Sequence, residues 1–230
     1  MIAAHYATAL IAHQKFPKGT LLFFLIISQF QDVLWFLLHY LGLEPTTPTD
    51  VFDATISNMA VTMVYSHHVV PQLIWAIVVF ILGKLLFKST TIGLVALTLF
   101  IGHFVLDFFS GHAHYVFGED THQVGLGLYA TNAYLAILIE AIFIAATLWY
   151  YFRTETKMGI VRTAKNRAVI IGLFVYGIVF MLSIATVSFR ELLSLPTFEF
   201  GFNTTMPMII FTYVVMMVVL YRIVPQYKQH

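Results

Sequence analysis

The sequence predicts an all-α membrane protein, a polytopic helical bundle of about six transmembrane helices plus a short N-terminal helix. Three observations predict it. Hydrophobic residues make up 60% of the 230 residues and charged residues only 10%, and the mean hydropathy is +0.85. A soluble domain of this size does not need so much apolar surface. We find no internal repeat and no long linker, so we expect a single integral membrane domain over residues 1–230.

Six apolar stretches are long enough to cross a membrane, which takes about 20 residues of helix. They cover approximately 19–43, 67–87, 90–110, 132–152, 168–188 and 206–224. Residues 1–14 are too short to span and predict an interfacial or re-entrant helix, with Pro17 and Gly19 marking its end. Residues 44–66 predict an outer loop. On this division, 1–152 holds the polar site and 168–224 supplies two structural spans.

The basic residues favour one side of the predicted membrane. Of the twelve Lys and Arg residues, only Arg190 falls on the side that carries most of the acidic residues. The positive-inside rule therefore predicts that both termini are cytoplasmic. Cysteine is absent, which excludes disulfides and thiolate-bound metals. The net charge of +1, without a basic patch, predicts no nucleic-acid partner.

His103 and Asp107 are the most informative residues, because they lie four apart inside the third span. On a helix they share one face. An Asp at the centre of a membrane helix costs roughly 2.5–3.5 kcal/mol, so such a pair indicates a functional site. At 1.5 Å per residue, Asp32 in the first span and Glu140 in the fourth reach a similar depth, near His67 and His68. The predicted site therefore lies in the outer half of the bilayer, within the first four spans.

Imidazoles and carboxylates without thiolates suit Zn²⁺, with Fe²⁺ or Mn²⁺ as alternatives. A lone intramembrane His is more often a helix–helix hydrogen-bonding group, and we apply that interpretation to His39 and weigh structural pairing for Glu140. Interfacial anchoring is the default for His5 and His13. The predicted metal ligands are Asp32, His67, His103, Asp107 and His112, with Glu140 and His68 as catalytic residues or proton carriers.

Four short elements carry a resemblance to a known family. They are Ala4-His5, Gln31-Asp32, Ser66-His67-His68 and Gly102-His103-Phe-Val-Leu-Asp107. They resemble the Thr-His, Pro-Asp-x-Asp, Thr-His-Ser and Ser-His-x-x-x-Asp elements of a bacterial inner-membrane family of metal-dependent hydrolases, described as LexA-binding, membrane-associated hydrolases. That family is distantly similar to zinc-dependent phospholipase C. The resemblance covers roughly residues 1–150 and implies a location in the bacterial inner membrane.

The chain departs from this pattern in ways that bear on the site. Gln31 replaces the Pro, and Leu34 stands where a second acid is usual. With a straight first span, His5 lies roughly 25–30 Å from the other ligands. We therefore expect that His5 is not a ligand, unless residues 1–14 re-enter the membrane.

Three functions fit these observations. The first is a membrane-embedded, metal-dependent hydrolase of a lipid-like or amphiphilic ester or phosphoester. The second is a non-enzymatic transporter or subunit of a larger membrane complex, or of a homo-oligomer, with a relic His/Asp site. The third is a di-iron membrane oxidase, which the lack of His-x-x-x-His boxes disfavours.

Overall fold

The computed structural model describes residues 3–198, 200–225 and 227, and the chain is helical through most of them. Two small antiparallel hairpins pair β1 (Thr46–Thr47) with β2 (Ala60–Val61) and β3 (His114–Tyr115) with β4 (Gln123–Val124). The helices are α1 (Ala4–Lys15), α2 (Leu21–Ser28), α3 (Phe30–Tyr40), α4 (Val69–Phe87), α5 (Thr90–Ser110), α6 (Leu128–Thr131), α7 (Ala133–Lys157), α8 (Ala164–Ser183), α9 (Phe189–Leu193) and α10 (Thr205–Ile223).

Five of these helices, α4, α5, α7, α8 and α10, are long and apolar enough to cross a membrane. The pair α2 and α3 qualifies as a sixth crossing only when both are taken together. The predicted all-α membrane bundle is therefore confirmed. Successive crossings alternate in direction, so the connections 41–68, 111–132 and 184–204 share one end, which we call the loop end. The opposite end, where Lys84 and Arg162 lie, is the basic end.

The first span is not the continuous helix that the sequence predicts over 19–43. It bends by 61° between α2 and α3. Ser28 donates its hydroxyl hydrogen bond to the Leu25 carbonyl, 3.0 Å away, and such local bonds compete with regular helix and bend it. The break leaves the Ser28 carbonyl available to a partner outside the helix.

Helix α1 lies inside the bundle, packed against α2, α5 and α7. Nine of its twelve residues are buried. Four of the nine are alanines, whose small side chains let helix backbones approach closely in a membrane. His5 and His13 are each only 1% exposed, so neither is the interfacial anchor that we expected.

Helices α4 and α5 form a tight hairpin, in which Gly83 of α4 and Gly93 of α5 let the two backbones approach closely. A methyl group at Gly93 would lie 2.8 Å from the Phe80 carbonyl oxygen, and one at Gly83 would lie 3.0 Å from the Gly93 Cα. Lys88 makes the turn in the left-handed conformation, with φ of 48°, and the Ser89 hydroxyl caps α5 by accepting from the Ile92 N–H. This contact fixes the position of α5, which carries His103 and Asp107.

At the loop end, the segment between β1 and α4 folds back over the bundle. The backbone N–H groups of Ile56 and Ser57 donate to the carbonyls of Ile184 and Ala185, at 2.8 and 3.1 Å. Arg190 forms ion pairs with Asp50 and Asp53 of the same segment. Backbone and ionic bonds therefore tie this segment to the end of α8 and to α9.

We predict that Gly93→Ala destabilises the protein by about 1–3 kcal/mol, the usual cost of overpacking, because the added methyl group has to displace backbone. Gly102→Ala on the same helix is the control, since a methyl group there meets nothing within 4 Å. The control should be neutral or stabilise by up to about 1 kcal/mol through helix propensity. Unfolding in mixed detergent micelles measures both, and equal free energies of unfolding for the two variants would contradict the close packing.

Candidate metal centre

Five buried side chains from four parts of the chain meet between the helices. They are His5 of α1, Asp32 of α3, His67 just before α4, and His103 and Asp107 of α5, none more than 5% exposed. Asp107 lies 3.1 Å from His103 Nε2 and 3.3 Å from His5 Nε2. Asp32 lies 3.4 Å from His67 Nε2 and 3.8 Å from His103 Nε2. We call these five residues the His/Asp cluster.

The cluster contains two groups of side chains that could hold a metal ion. His5, His103 and Asp107 form one group, and Asp32, His67 and His103 form the other, with ligand atoms within 4.8 Å of one another in each. Within the described residues, the Nε2 atoms of His5, His67 and His103 form no hydrogen bond of good geometry, although each lies close to a carboxylate oxygen. Orphaned imidazole nitrogens around two buried carboxylates fit a divalent cation, whose charge offsets the cost of burying the acids.

A carbonyl freed by the helix break orients His103. Its Nδ1 lies 2.8 Å from the Ser28 carbonyl oxygen. A carbonyl only accepts, so Nδ1 carries the proton and donates. The Nε2 of the neutral ring is then unprotonated and directed at the carboxylates, as a metal ligand requires.

A second chain of hydrogen bonds orients His67. The Ser66 hydroxyl donates to Glu44 Oε2 at 2.7 Å, and the Ser66 Oγ also lies 2.7 Å from His67 Nδ1. Since the hydroxyl proton is already donated to Glu44, the His67 Nδ1–H is the donor to Ser66. Glu44 also accepts from the Tyr65 and Ser66 N–H groups and is fully buried. Glu44 was not predicted as a site residue, because it lies in a loop rich in polar residues.

Asp32 receives a hydrogen bond from the sixth crossing, which we expected to be only structural. The Tyr213 hydroxyl of α10 donates to Asp32 Oδ2 at 3.0 Å. The Tyr6 hydroxyl of α1 in turn donates to the Tyr213 carbonyl, also at 3.0 Å. The expectation that the first four spans alone build the site is therefore wrong.

Glu140 positions α1 and does not enter the cluster as a proton carrier. Its Oε1 accepts from the backbone N–H groups of Ala3 and Ala4, at 2.9 and 3.1 Å. A carboxylate at a helix N-terminus satisfies free N–H groups and interacts favourably with the helix dipole. This contact holds His5 against His103, with the two rings stacked at 3.5 Å and an interplanar angle of 6°. The prediction that His5 lies far from the other ligands is wrong, because α1 packs inside the bundle.

The remaining predicted histidines lie in different surroundings. His68 accepts from the Gly118 N–H at 2.9 Å and packs on Tyr115, so its ring holds the β3–β4 connection instead of facing the cluster. His112 lies against Tyr129 on the wall of a cavity beside the cluster. His114 stacks on His67, with ring centroids 5.4 Å apart, and was missed as a site residue although it forms a His-Ala-His sequence with His112.

His112 and His114 lie outside the membrane-spanning helices, where His114 is buried and His112 is half-buried. Burial lowers the pKa of His112 to about 4 and that of His114 to about 3. Both rings are therefore neutral at pH 7 and can each donate one hydrogen bond and accept another.

The cavity beside the cluster has a volume of about 90 Å³, enough for about three water molecules at their liquid volume. Asp32, His67 and Asp107 form part of its wall, and most of the remainder is apolar. Its other lining residues are Trp35, Val51, Ala54, Ile56, Met59, Met63, Gly111, His112, His114, Tyr129, Phe180, Met181, Ile184, Phe189, Thr205, Met208, Ile209 and Tyr213.

In comparisons with protein-family models, curated proteins and solved structures, none matched this chain.

We predict that Glu140→Ala destabilises the protein and loosens α1, since each buried N–H left without a partner costs about 1–3 kcal/mol. Glu140→Gln keeps an acceptor and loses only the charge, so it should cost less, about 0.3–2 kcal/mol. Unfolding in detergent and hydrogen exchange of the α1 amides measure the difference. Glu119→Gln, at an exposed loop position, is the control. Unchanged exchange in α1 for Glu140→Ala would contradict this role.

Proposed function

We propose that this chain is a membrane-embedded, metal-dependent hydrolase that acts on a lipid-like or amphiphilic ester or phosphoester. One observation carries the proposal: three imidazole nitrogens and two carboxylates converge in an apolar bundle beside a cavity that has room for a reacting group. Zn²⁺ is the metal we expect, with Fe²⁺ or Mn²⁺ as alternatives for the same donors.

The proposed ligand set keeps Asp32, His67, His103 and Asp107 and adds His5. A metal bound by these residues would supply a Lewis acid and a water of lowered pKa. His112 moves from the ligand set to the substrate side, because it lines the cavity and belongs to neither metal-holding group. Glu140 and His68 leave the catalytic set, since hydrogen bonds commit the first to α1 and the second to the β3–β4 connection.

The protein's own groups divide the remaining work. The Ser28 carbonyl and the Glu44–Ser66 pair keep the Nε2 atoms of His103 and His67 unprotonated and aimed at the centre. Whichever carboxylate oxygen of Asp32 or Asp107 is not engaged as a ligand accepts the proton of the attacking water. The apolar cavity wall excludes bulk water, which strengthens electrostatic interactions inside the site.

The resemblance to the bacterial inner-membrane hydrolase family remains a proposal, and the geometry supports it in one respect. All four elements quoted for that resemblance, which are spread over about a hundred residues, contribute a side chain to the same cluster. The resemblance leads us to propose a location in the bacterial inner membrane, and the positive-inside rule leads us to propose that both termini are cytoplasmic. Because the chain contains no cysteine, single cysteines introduced at Asp120 and Lys165 can test the orientation by labelling from each side.

We predict that the purified protein binds a divalent transition metal and hydrolyses amphiphilic esters or phosphoesters in micelles. The double variant His103→Ala/Asp107→Ala should lose both properties, because each metal-holding group loses at least one donor. His122→Ala, at an exposed loop position, should change neither. Elemental analysis measures the bound metal, and an ester-hydrolysis assay measures the activity. Wild-type protein without metal after metal supplementation would overturn the proposal, and metal without turnover would favour the non-enzymatic alternative.

We also predict that Ser66→Ala lowers metal affinity by about 10–100-fold, the usual effect of losing the residue that orients a ligating His. Ser66→Thr keeps the hydroxyl and should restore most of the affinity. Ser110→Ala is a matched control, since Ser110 is as buried as Ser66 but, among the described residues, its hydroxyl bonds to the Leu106 carbonyl of its own helix and to no site residue. Competition with a chelating dye measures the affinities. Equal affinities for Ser66→Ala and Ser110→Ala would show that the Glu44–Ser66–His67 chain does not tune the site.

A further inference from the structure

We propose that the cavity is an acyl-chain pocket that opens sideways onto the lipid between α8 and α10, so that the substrate is a membrane-resident acyl ester that reaches the site from within the bilayer. This inference rests on the proposed function and specifies its substrate class and route.

The cavity wall reaches the outer surface of the bundle between these two helices. Met208 of α10 lines the cavity and is 42% exposed, and Phe180 of α8 lines it and is half-buried. The neighbouring surface is apolar, with Val179 and Phe211 exposed by 56% and 64%. The wall between cavity and lipid is therefore made of side chains that can rotate.

Helices α8 and α10 contact each other on the basic side of the cavity. Toward the basic end, a methyl group at Gly177 would lie 3.8 Å from Met216, and the Asn166 side chain donates to the Ile223 carbonyl at 2.9 Å. Toward the loop end, Met181 and Ile184 of α8 face the cavity, as does Ile209 of α10. Both helices therefore contribute side chains to the cavity wall at the level of the site.

On the side of the loop end, hydrogen bonds and ion pairs hold a segment of the chain over the cavity. The segment that carries Ala54 and Ile56 covers the cavity at the loop end. Its backbone hydrogen bonds to Ile184 and Ala185 and its ion pairs with Arg190 hold it in place. Admission of a solute from this side would break these bonds, whereas admission from the lipid needs only rotamer changes.

The polar end of the cavity is arranged to receive an oxygen-rich group. The Tyr129 hydroxyl is buried, and so are both ring nitrogens of His114, and none of these atoms has a hydrogen-bond partner among the described residues. Buried polar groups are rarely left unpaired, so these atoms point to a ligand. An ester carbonyl or phosphoryl oxygen would satisfy them beside Asp32 and Asp107.

The size of the cavity limits what it can enclose. About 90 Å³ holds the ester and a few adjoining methylene groups, not a whole lipid. The rest of the acyl chain then extends through the opening into the bilayer.

Photo-cross-linking tests this route without requiring metal or turnover. The probe is a monoacylglycerol with a diazirine in its acyl chain, mixed into phosphatidylcholine vesicles that contain the full chain. Mass spectrometry should find adducts on Met181 and Ile56, which are 1% and 5% exposed. Phe174, also on α8 and 1% exposed but outside the cavity, should carry none, and exposed Val175 should be labelled as ordinary lipid-facing surface.

Two variants make the result specific. Met208→Trp fills the opening and should abolish the adducts on Met181 and Ile56 while leaving those on Val175. Val179→Trp adds the same side chain to exposed surface that does not line the cavity and should leave all adducts unchanged. Unaltered labelling of Met181 in Met208→Trp would overturn the lateral route. So would labelling of the cavity only by a water-soluble diazirine alcohol added outside the vesicles.

The cross-linking result tests the pocket separately from the metal and hydrolysis measurements, which test the proposed function. Adducts on Met181 in protein that binds no metal would support the pocket while the hydrolase proposal fails. Hydrolysis of acyl esters by protein whose cavity is never labelled would overturn the pocket and leave the hydrolase proposal intact.

Discussion

The burial of two carboxylates side by side in an apolar bundle is the constraint on which the rest of this structure depends. Asp32 and Asp107 are at most 5% exposed, and an unpaired buried charge is far too costly to persist. The three surrounding imidazoles reduce that cost, and a bound cation would reduce it further. Much of the irregular structure in the chain serves to bring these imidazoles within reach.

Each imidazole is placed by an irregularity. His103 depends on the break between α2 and α3, which exposes the Ser28 carbonyl. His67 precedes α4 and depends on Glu44, held in the loop beneath β1. His5 depends on a helix that begins inside the bundle, at the Glu140 carboxylate. Regular transmembrane helices alone would have left the carboxylates of Asp32 and Asp107 with His103 and few other partners.

The cavity extends this arrangement to a second set of elements. Helices α8 and α10 contribute no member of the His/Asp cluster, but they provide the apolar wall and the Tyr213 hydroxyl that bonds Asp32. The site is therefore polar on the side of α1, α3 and α5 and apolar on the side of α8 and α10. An amphiphile that presents its ester to the first side and its chain to the second matches this division.

The sequence by itself determined the membrane bundle, the approximate limits of five crossings and the shared helix face of His103 and Asp107. Those features follow from local hydropathy and from an i,i+4 spacing, which neighbouring residues express directly. It also indicated Asp32 and His67, because the depth of a residue in a span can be counted from its end.

Only the tertiary structure decided that His5 joins the cluster, that Glu140 anchors α1, and that Glu44 and Tyr213 support the ligands. Tyr213 and Asp32 are 181 residues apart, and Glu140 and Ala3 are 137 apart. No periodicity or spacing encodes such pairs, because they arise from the folding of separate helices around one costly group. A short helix such as α1 is stable in this position only because its neighbours bury it, so its own sequence could not reveal where it lies.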